Sequence, residues 1–198
     1  MVIGDYLGRR QIYSPDKLAI IDAGRTPALE LTYRQMNERA DRLAAWLRDV
    51  AGVQKGDRVA ILARDGVEHL DLFYACAKLG AIHTPFNWRL HWRELAGLVE
   101  LTTPKALLFS DDFKPAVEQI QLTIHPITHS PISHFLHLEG PGLPFSHDYQ
   151  STLDQSTNRP VSCPTLTEED IACLLFTGGT TGLPKGAMVS HRMICWNV

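Results

Sequence analysis

Between Thr177 and Gly186 the chain reads Thr-Gly-Gly-Thr-Thr-Gly-Leu-Pro-Lys-Gly. Its first nine residues hold three glycines, three threonines and one lysine. Glycines let the backbone come close to a ligand and adopt positive φ. Their N–H groups can then converge on anionic oxygens. Thr177, Thr180 and Thr181 add hydroxyl donors, and Lys185 adds a point charge that suits phosphate. No nucleophile stands beside a base here, so the stretch is suited to holding a polyphosphate rather than attacking it. A plain Gly-Thr hairpin turn is the competing reading, and it needs fewer of these residues.

Two familiar phosphate loops are excluded by the spacing. A Walker loop requires glycine before its lysine and Ser or Thr after it, whereas Pro184 precedes and Gly186 follows Lys185. The dinucleotide fingerprint opening a helix is absent as well. The elements that must position the loop are two short apolar runs, Ile171 to Phe176 and Gly186 to Val189. Both read as strands, so the loop joins strand to strand.

Upstream, apolar runs alternate with helical periodicity. Leu18–Asp22, Arg58–Ala63, Ala81–Thr84 and Ala106–Phe109 read as strands. Helices are expected from Thr32, over Val67–Ala77, over Trp92–Leu101 and over Lys114–Gln121. Thr32 and Gln35 form a capping box, and Gly52 stands where that helix should be capped. Met36, Ala40, Leu43 and Leu47 make its apolar face, while Arg39, Arg42 and Arg48 are expected on a solvated face. The alternation predicts an α/β fold with a mostly parallel sheet and flanking helices. Residues 122–170 lose this periodicity, carry six prolines, and are expected to form a loop-rich surface connection with one strand at His134–Leu138. Five histidines fall there, at 125, 129, 134, 137 and 147, without zinc-like spacing, so no metal site is assigned.

Composition is that of an ordinary globular domain, 44% hydrophobic and 21% charged over 198 residues. A net charge of −3 gives no electrostatic case for nucleic acid. No apolar run approaches the ~18 residues of a membrane helix. Cysteines at 76, 163, 173 and 195 form no CxxC pair, and read as reduced, mostly buried thiols of a cytoplasmic protein.

Thr177 to Gly186 closely resembles the phosphate-loop signature of the adenylate-forming (AMP-binding) enzymes: acyl-CoA synthetases, luciferases and the adenylation domains of peptide synthetases. Gly178 departs from the serine many members carry there. The pair His191-Arg192 also fits, and Leu31-Thr32-Tyr33 and Lys78-Leu79-Gly80-Ala81 resemble upstream motifs whose role is mainly scaffolding. Thr84 to Leu90, with Asn87-Trp88-Arg89-Leu90, looks most like fatty-acid and aromatic-acid CoA ligases. His83 stands where an apolar residue is common.

The resemblance implies that residues 1–198 are the N-terminal portion of an AMP-binding domain with the fold of that family. It implies a parent enzyme that activates a carboxylic, chiefly fatty, acid with MgATP and passes the acyl group to coenzyme A. Thr177, Gly178, Gly179, Thr180, Thr181, Gly182 and Lys185 would then bind the ATP phosphates. Adenine contacts, Mg2+ ligation, the acyl pocket and a C-terminal lysine come, in the family, from segments beyond Val198. No catalytic residue is therefore named here, and the chain by itself is expected to be inactive. The alternatives are an adenylation domain of another adenylate-forming enzyme, an unrelated nucleotide binder, or a non-catalytic nucleotide-binding or scaffold module. The last would be a homo-oligomer.

Overall fold

Strand Arg58–Leu62 (β3) is the axis of the architecture, with Val59, Ala60, Ile61 and Leu62 all fully buried. A strand buried on both faces reads as a continuous apolar run, and its neighbours in sequence do the same. The computed structural model describes residues 2–124, 132–177 and 185–196. The elements before β3 are helix Asp5–Tyr13 (α1), the antiparallel pair Leu18–Asp22 (β1) and Leu29–Thr32 (β2), and helix Tyr33–Asp49 (α2). After it come helix Val67–Leu79 (α3), strand Ile82–Pro85 (β4), helix Trp92–Thr102 (α4), strand Ala106–Phe109 (β5) and helix Lys114–Ile124 (α5). Next are strands His134–His137 (β6) and Ser146–Asp148 (β7), then helix Tyr149–Gln155 (α6). Strands Ile171–Thr177 (β8) and Lys185–Ser190 (β9) and the short helix His191–Cys195 (α7) complete the order.

Seven strands form one sheet in the order β7-β6-β5-β3-β4-β8-β9, parallel throughout except for the antiparallel β8–β9 pair. The sequence expectation of a mostly parallel α/β sheet with flanking helices is met. Alternate residues serve opposite faces. Val59 and Ile61 pack with Leu43 and Leu47 of α2 and Leu72 and Ala75 of α3. Ala60 and Leu62 pack with Leu95 and Leu98 of α4 and with Val117 and Ile120 of α5. β4 and β5 flank β3 on opposite sides, so the rule of right-handed crossovers places α3 and α4 on opposite faces.

Local signals behave as physics requires. Thr32 accepts from the Gln35 amide at 3.3 Å, and the Gln35 side chain accepts from the Thr32 amide at 2.8 Å. Gly80 ends α3 in the left-handed region at φ 72°. α2 stops at Asp49, three residues before Gly52, with Val50 as its C-cap. Gly52, at φ 63°, instead turns the chain so that the Val53 amide reaches the Leu47 carbonyl at 2.8 Å.

At the N-terminus α1 packs against α2. Two expectations are corrected. The strand expected at His134–Leu138 is present as β6, but the stretch 122–170 is more than a connection: it also supplies the strand β7 and the helix α6. Arg39 is not solvated. Its side chain is 18% exposed and its Nε and Nη2 donate to Asp71 Oδ2 at 2.9 and 2.6 Å. Tyr149 donates to the same oxygen at 2.7 Å. Burial raises Asp71 above the usual carboxylate range, while the Arg39 guanidinium and the Tyr149 hydroxyl pull the other way. Arg42 Nη1 donates to the Leu153 and Ser156 carbonyls at 3.0 and 3.2 Å, so two of the three arginines dock α6 onto the scaffold. Arg48 alone stays exposed, beside Asp49 at 2.7 Å.

Candidate functional site

The expected loop sits on the β8–β9 hairpin, and its strands are in the anticipated places. β8 adds to β4 through Cys173 opposite His83. β9 then returns antiparallel, so that Phe176 faces Gly186 and Thr177 faces Lys185. Thr177 Oγ1 donates to the Lys185 carbonyl at 3.4 Å across the mouth of the hairpin. Both side chains are exposed there. Residues Gly178, Gly179, Thr180, Thr181 and Gly182, with Leu183 and Pro184, lie outside the described residues.

Gly186 has a steric reason to be glycine. A Cβ there would come within 3.0 Å of the Phe176 ring. That ring packs, half-buried, on the α4–α5 face of the core, where Trp88 and Leu90 also rest.

The base of the hairpin is held firmly. Ser190 caps α7 by accepting the Met193 amide at 3.3 Å. The amides of His191 and Arg192 donate to the carbonyls of Asp170 and Glu168 at 3.0 and 2.8 Å. Asp170 is fixed by Lys55 at 2.8 Å and by the Thr167 amide at 2.7 Å. The Lys55 hydrogen bond and that amide hold its carboxyl below the usual range.

A second feature lies at the carboxyl ends of β3, β5 and β6. The strand order turns back on itself between β3 and β5, and open α/β sheets take ligands in the crevice at such a point. A cleft of about 340 Å3 lies there, lined by Arg64, Asp65, Gly66, Ser110, Asp112 and Glu139 among others. The Arg64 guanidinium stands 5.1 Å from the Trp88 ring centroid, and that of Arg89 stands 4.7 Å from it. Asp112 pairs with Arg64 at 3.1 Å. Strand order depends on pairing far apart in the chain, so this cleft had no local signal in the sequence.

The histidine-rich stretch carries packing roles. His134 and His147 meet the edge of Trp46, at centroid distances of 5.6 and 5.4 Å. His137 Nδ1 lies 3.0 Å from Ser146 Oγ, and its Nε2 lies 3.3 Å from Asp148. His125 and His129 lie outside the described residues. Among the described residues no three His, Cys, Asp or Glu side chains group closely enough to hold a metal ion. None of the four cysteines is in a disulfide; Cys76 and Cys173 are buried and Cys163 and Cys195 partly so. No helix among the described residues is long and apolar enough to cross a membrane.

The fold is thus an open, mostly parallel α/β sheet ending in an antiparallel hairpin, whose connecting sequence is rich in glycine and threonine and closed by lysine. The AMP-binding enzyme family model matches residues 9–198, and the chain belongs to that family. It is 32% identical to a fatty acid–[acyl-carrier-protein] ligase of Streptomyces coeruleorubidus, over 91% of this chain and 31% of that protein. It is 34% identical to a long-chain-fatty-acid–CoA ligase of Thermus thermophilus, over 82% of this chain and 28% of that protein. Among solved structures, the N-terminal domain of FACL13 from Mycobacterium tuberculosis superposes with a TM-score of 0.81 at 28% identity, covering 96% of this chain and 44% of that one. The chain thus corresponds to an N-terminal part of the family's fold, and spans about a third of the length of the curated relatives it matches.

Proposed function

We propose that this chain is the phosphate-holding N-terminal part of an acid–thiol ligase that uses MgATP, a carboxylic acid and coenzyme A. The observation that carries the reading is the β8–β9 register. It sets Thr177 opposite Lys185, both exposed, at the two ends of a loop of glycine and threonine. Thr177, Gly178, Gly179, Thr180, Thr181, Gly182 and Lys185 bind the β- and γ-phosphates through backbone amides, hydroxyls and one ammonium group. A carboxylate oxygen attacks the α-phosphorus, the bond to the bridging oxygen breaks, and pyrophosphate leaves with the electron pair. The loop residues hold that leaving group still and offset its charge, which is where such a site contributes most. Mg2+, when bound, would supply further neutralisation of phosphate charge, and no residue of this chain is assigned to hold it. The thiol of coenzyme A then attacks the acyl carbon and displaces AMP.

A fatty acid is the favoured substrate, because the Thermus relative is a long-chain-fatty-acid–CoA ligase and the Streptomyces relative acts on fatty acids. Coenzyme A is favoured as acceptor by the Asn87–Leu90 stretch, and a cytoplasmic setting follows from substrates of that kind. The test is carboxylate-dependent exchange of pyrophosphate into ATP across fatty and aromatic acids, measured on the gene product that contains this chain. Exchange with at least one acid is expected, and loss of Lys185 as alanine should weaken MgATP binding by about 10-fold or more. Silence with every acid in the panel would remove the ligase reading.

A further inference from the structure

The N-terminal residues meet the base of the hairpin across almost the whole length of the chain. Ile3 is 1% exposed and packs with Ala77 of α3 and Ala172 of β8, with Ile194 of α7 against the same cluster. Its amide donates to His191 Nδ1 at 3.3 Å, a buried contact 188 residues apart in sequence. Gly4 crosses the last turn of α3 so closely that a Cβ would stand 2.7 Å from the Ala77 carbonyl oxygen. His191 is fully buried, and it is the first residue after β9. Accepting an amide on Nδ1 fixes the neutral tautomer with its proton on Nε2. Nε2 has no partner among the described residues. The ring is thus committed to one hydrogen bond, and that bond joins the N-terminal segment to the root of β9.

We propose that His191 is a positioning residue: by accepting the Ile3 amide it fastens residues 2–4 as a strap across α3 and the root of the β8–β9 hairpin, and so sets how firmly that hairpin grips a nucleotide phosphate. The proposal rests on the reading of the hairpin as a phosphate holder. Its physical logic is leverage. β9 is an edge strand, paired only with β8 in the sheet order. β8 in turn meets the parallel sheet through one register pair, Cys173 with His83. Beyond that pairing the hairpin depends on contacts at its root, and the strap, like Lys55 at Asp170, is one that comes from outside the sheet.

Three variants test it, in the gene product that contains this chain. His191→Leu removes the acceptor and keeps an apolar filling. Gly4→Ala pushes the strap off α3 and leaves His191 intact. His191→Gln restores an acceptor. Amide hydrogen exchange and MgATP calorimetry are read on each. In the first two, amides of Leu174–Phe176 and Ala187–Val189 should exchange faster, while those of Val59–Ile61 and Leu107–Phe109 keep their protection. MgATP binding should weaken about 3–10-fold, as expected for loss of one neutral hydrogen bond. His191→Gln should recover most of both effects. Unchanged hairpin exchange in both disruptive variants, or an equal rise across the whole sheet, would overturn the proposal. If the unaltered protein binds no MgATP, the phosphate reading fails, and the exchange pattern by itself still decides whether the strap holds the hairpin.

Discussion

The two ends of the sheet are built to opposite rules. Around β3 and β5 every residue from Val59 to Leu62 and from Ala106 to Phe109 is fully buried between helices. Along β9, Lys185 to Met188 are all exposed, with Met188 at 65% and Leu175 of β8 at 44%. The first region contributes stability and carries no exposed chemistry. The second contributes little burial and carries the residues proposed to meet phosphate. Local stability follows buried apolar contact, so segments that handle ligands come from the less stable end of a fold. β4 lies between the two, and His83 sits in it.

Four measurements would break or sharpen that contrast. The largest loss is expected in the scaffold from Asp71→Ala, which leaves the mostly buried Arg39 guanidinium without its carboxylate. Breaking a buried pair in this way costs about 3–5 kcal/mol in chemical denaturation. A loss under about 1 kcal/mol would mean that the α2–α3–α6 contact is not held by charge. Leu107→Ala comes next, at about 2–5 kcal/mol, because the side chain is fully buried in a packed core. A smaller effect there would place the rigid centre elsewhere.

Acid comes third, and acts at the seam. Burial first, and His69 second, push His83 down from 6.5 to about 3. Its folded value is depressed, so the neutral ring is favoured in the fold and stability is full above 6.5. As pH falls below that value the unfolded chain takes up the proton first, and the fold loses about 2 kcal/mol by pH 5. Denaturation curves across that range should show the slope, and His83→Leu should flatten it. An equal slope in the variant would assign the acid sensitivity to other groups. The smallest effect belongs to the hairpin: Met188→Ser should change global stability by less than about 0.5 kcal/mol, as exposed positions do. A loss comparable with Leu107→Ala would show that β9 is part of the core after all.

Much of this was legible in the residues themselves. The capping box at Thr32 and Gln35 and the apolar runs of β3, β5 and β8 are signals confined to a few neighbours in sequence. Turn chemistry, helix capping and strand burial depend on local backbone geometry and side-chain type, so they could be read without knowing the fold. The loop from Thr177 to Gly186 belongs with them. Its flanking runs predicted the strand-to-strand setting that β8 and β9 provide, and its glycines, hydroxyls and lysine are the basis of the phosphate contacts proposed above.

Other features were settled only when distant segments met. The strand order, and with it the crevice beside Arg64 and Ser110, depends on which runs pair. The same chain chemistry permits several orders. Residues 146–155 carry little periodicity, yet they become an edge strand and a helix because Tyr149 finds Asp71 and Arg42 finds the carbonyls of α6. Arg39 reads as a surface charge until α3 and Tyr149 close over it. The Ile3–His191 contact lies beyond any sequence window, since burial turns an ordinary histidine into the acceptor for one particular amide. Side-chain type and spacing determined the local elements and the strand-to-strand setting of the loop. Desolvation and long-range pairing, which exist only in the assembled fold, decided which polar groups became its fastenings.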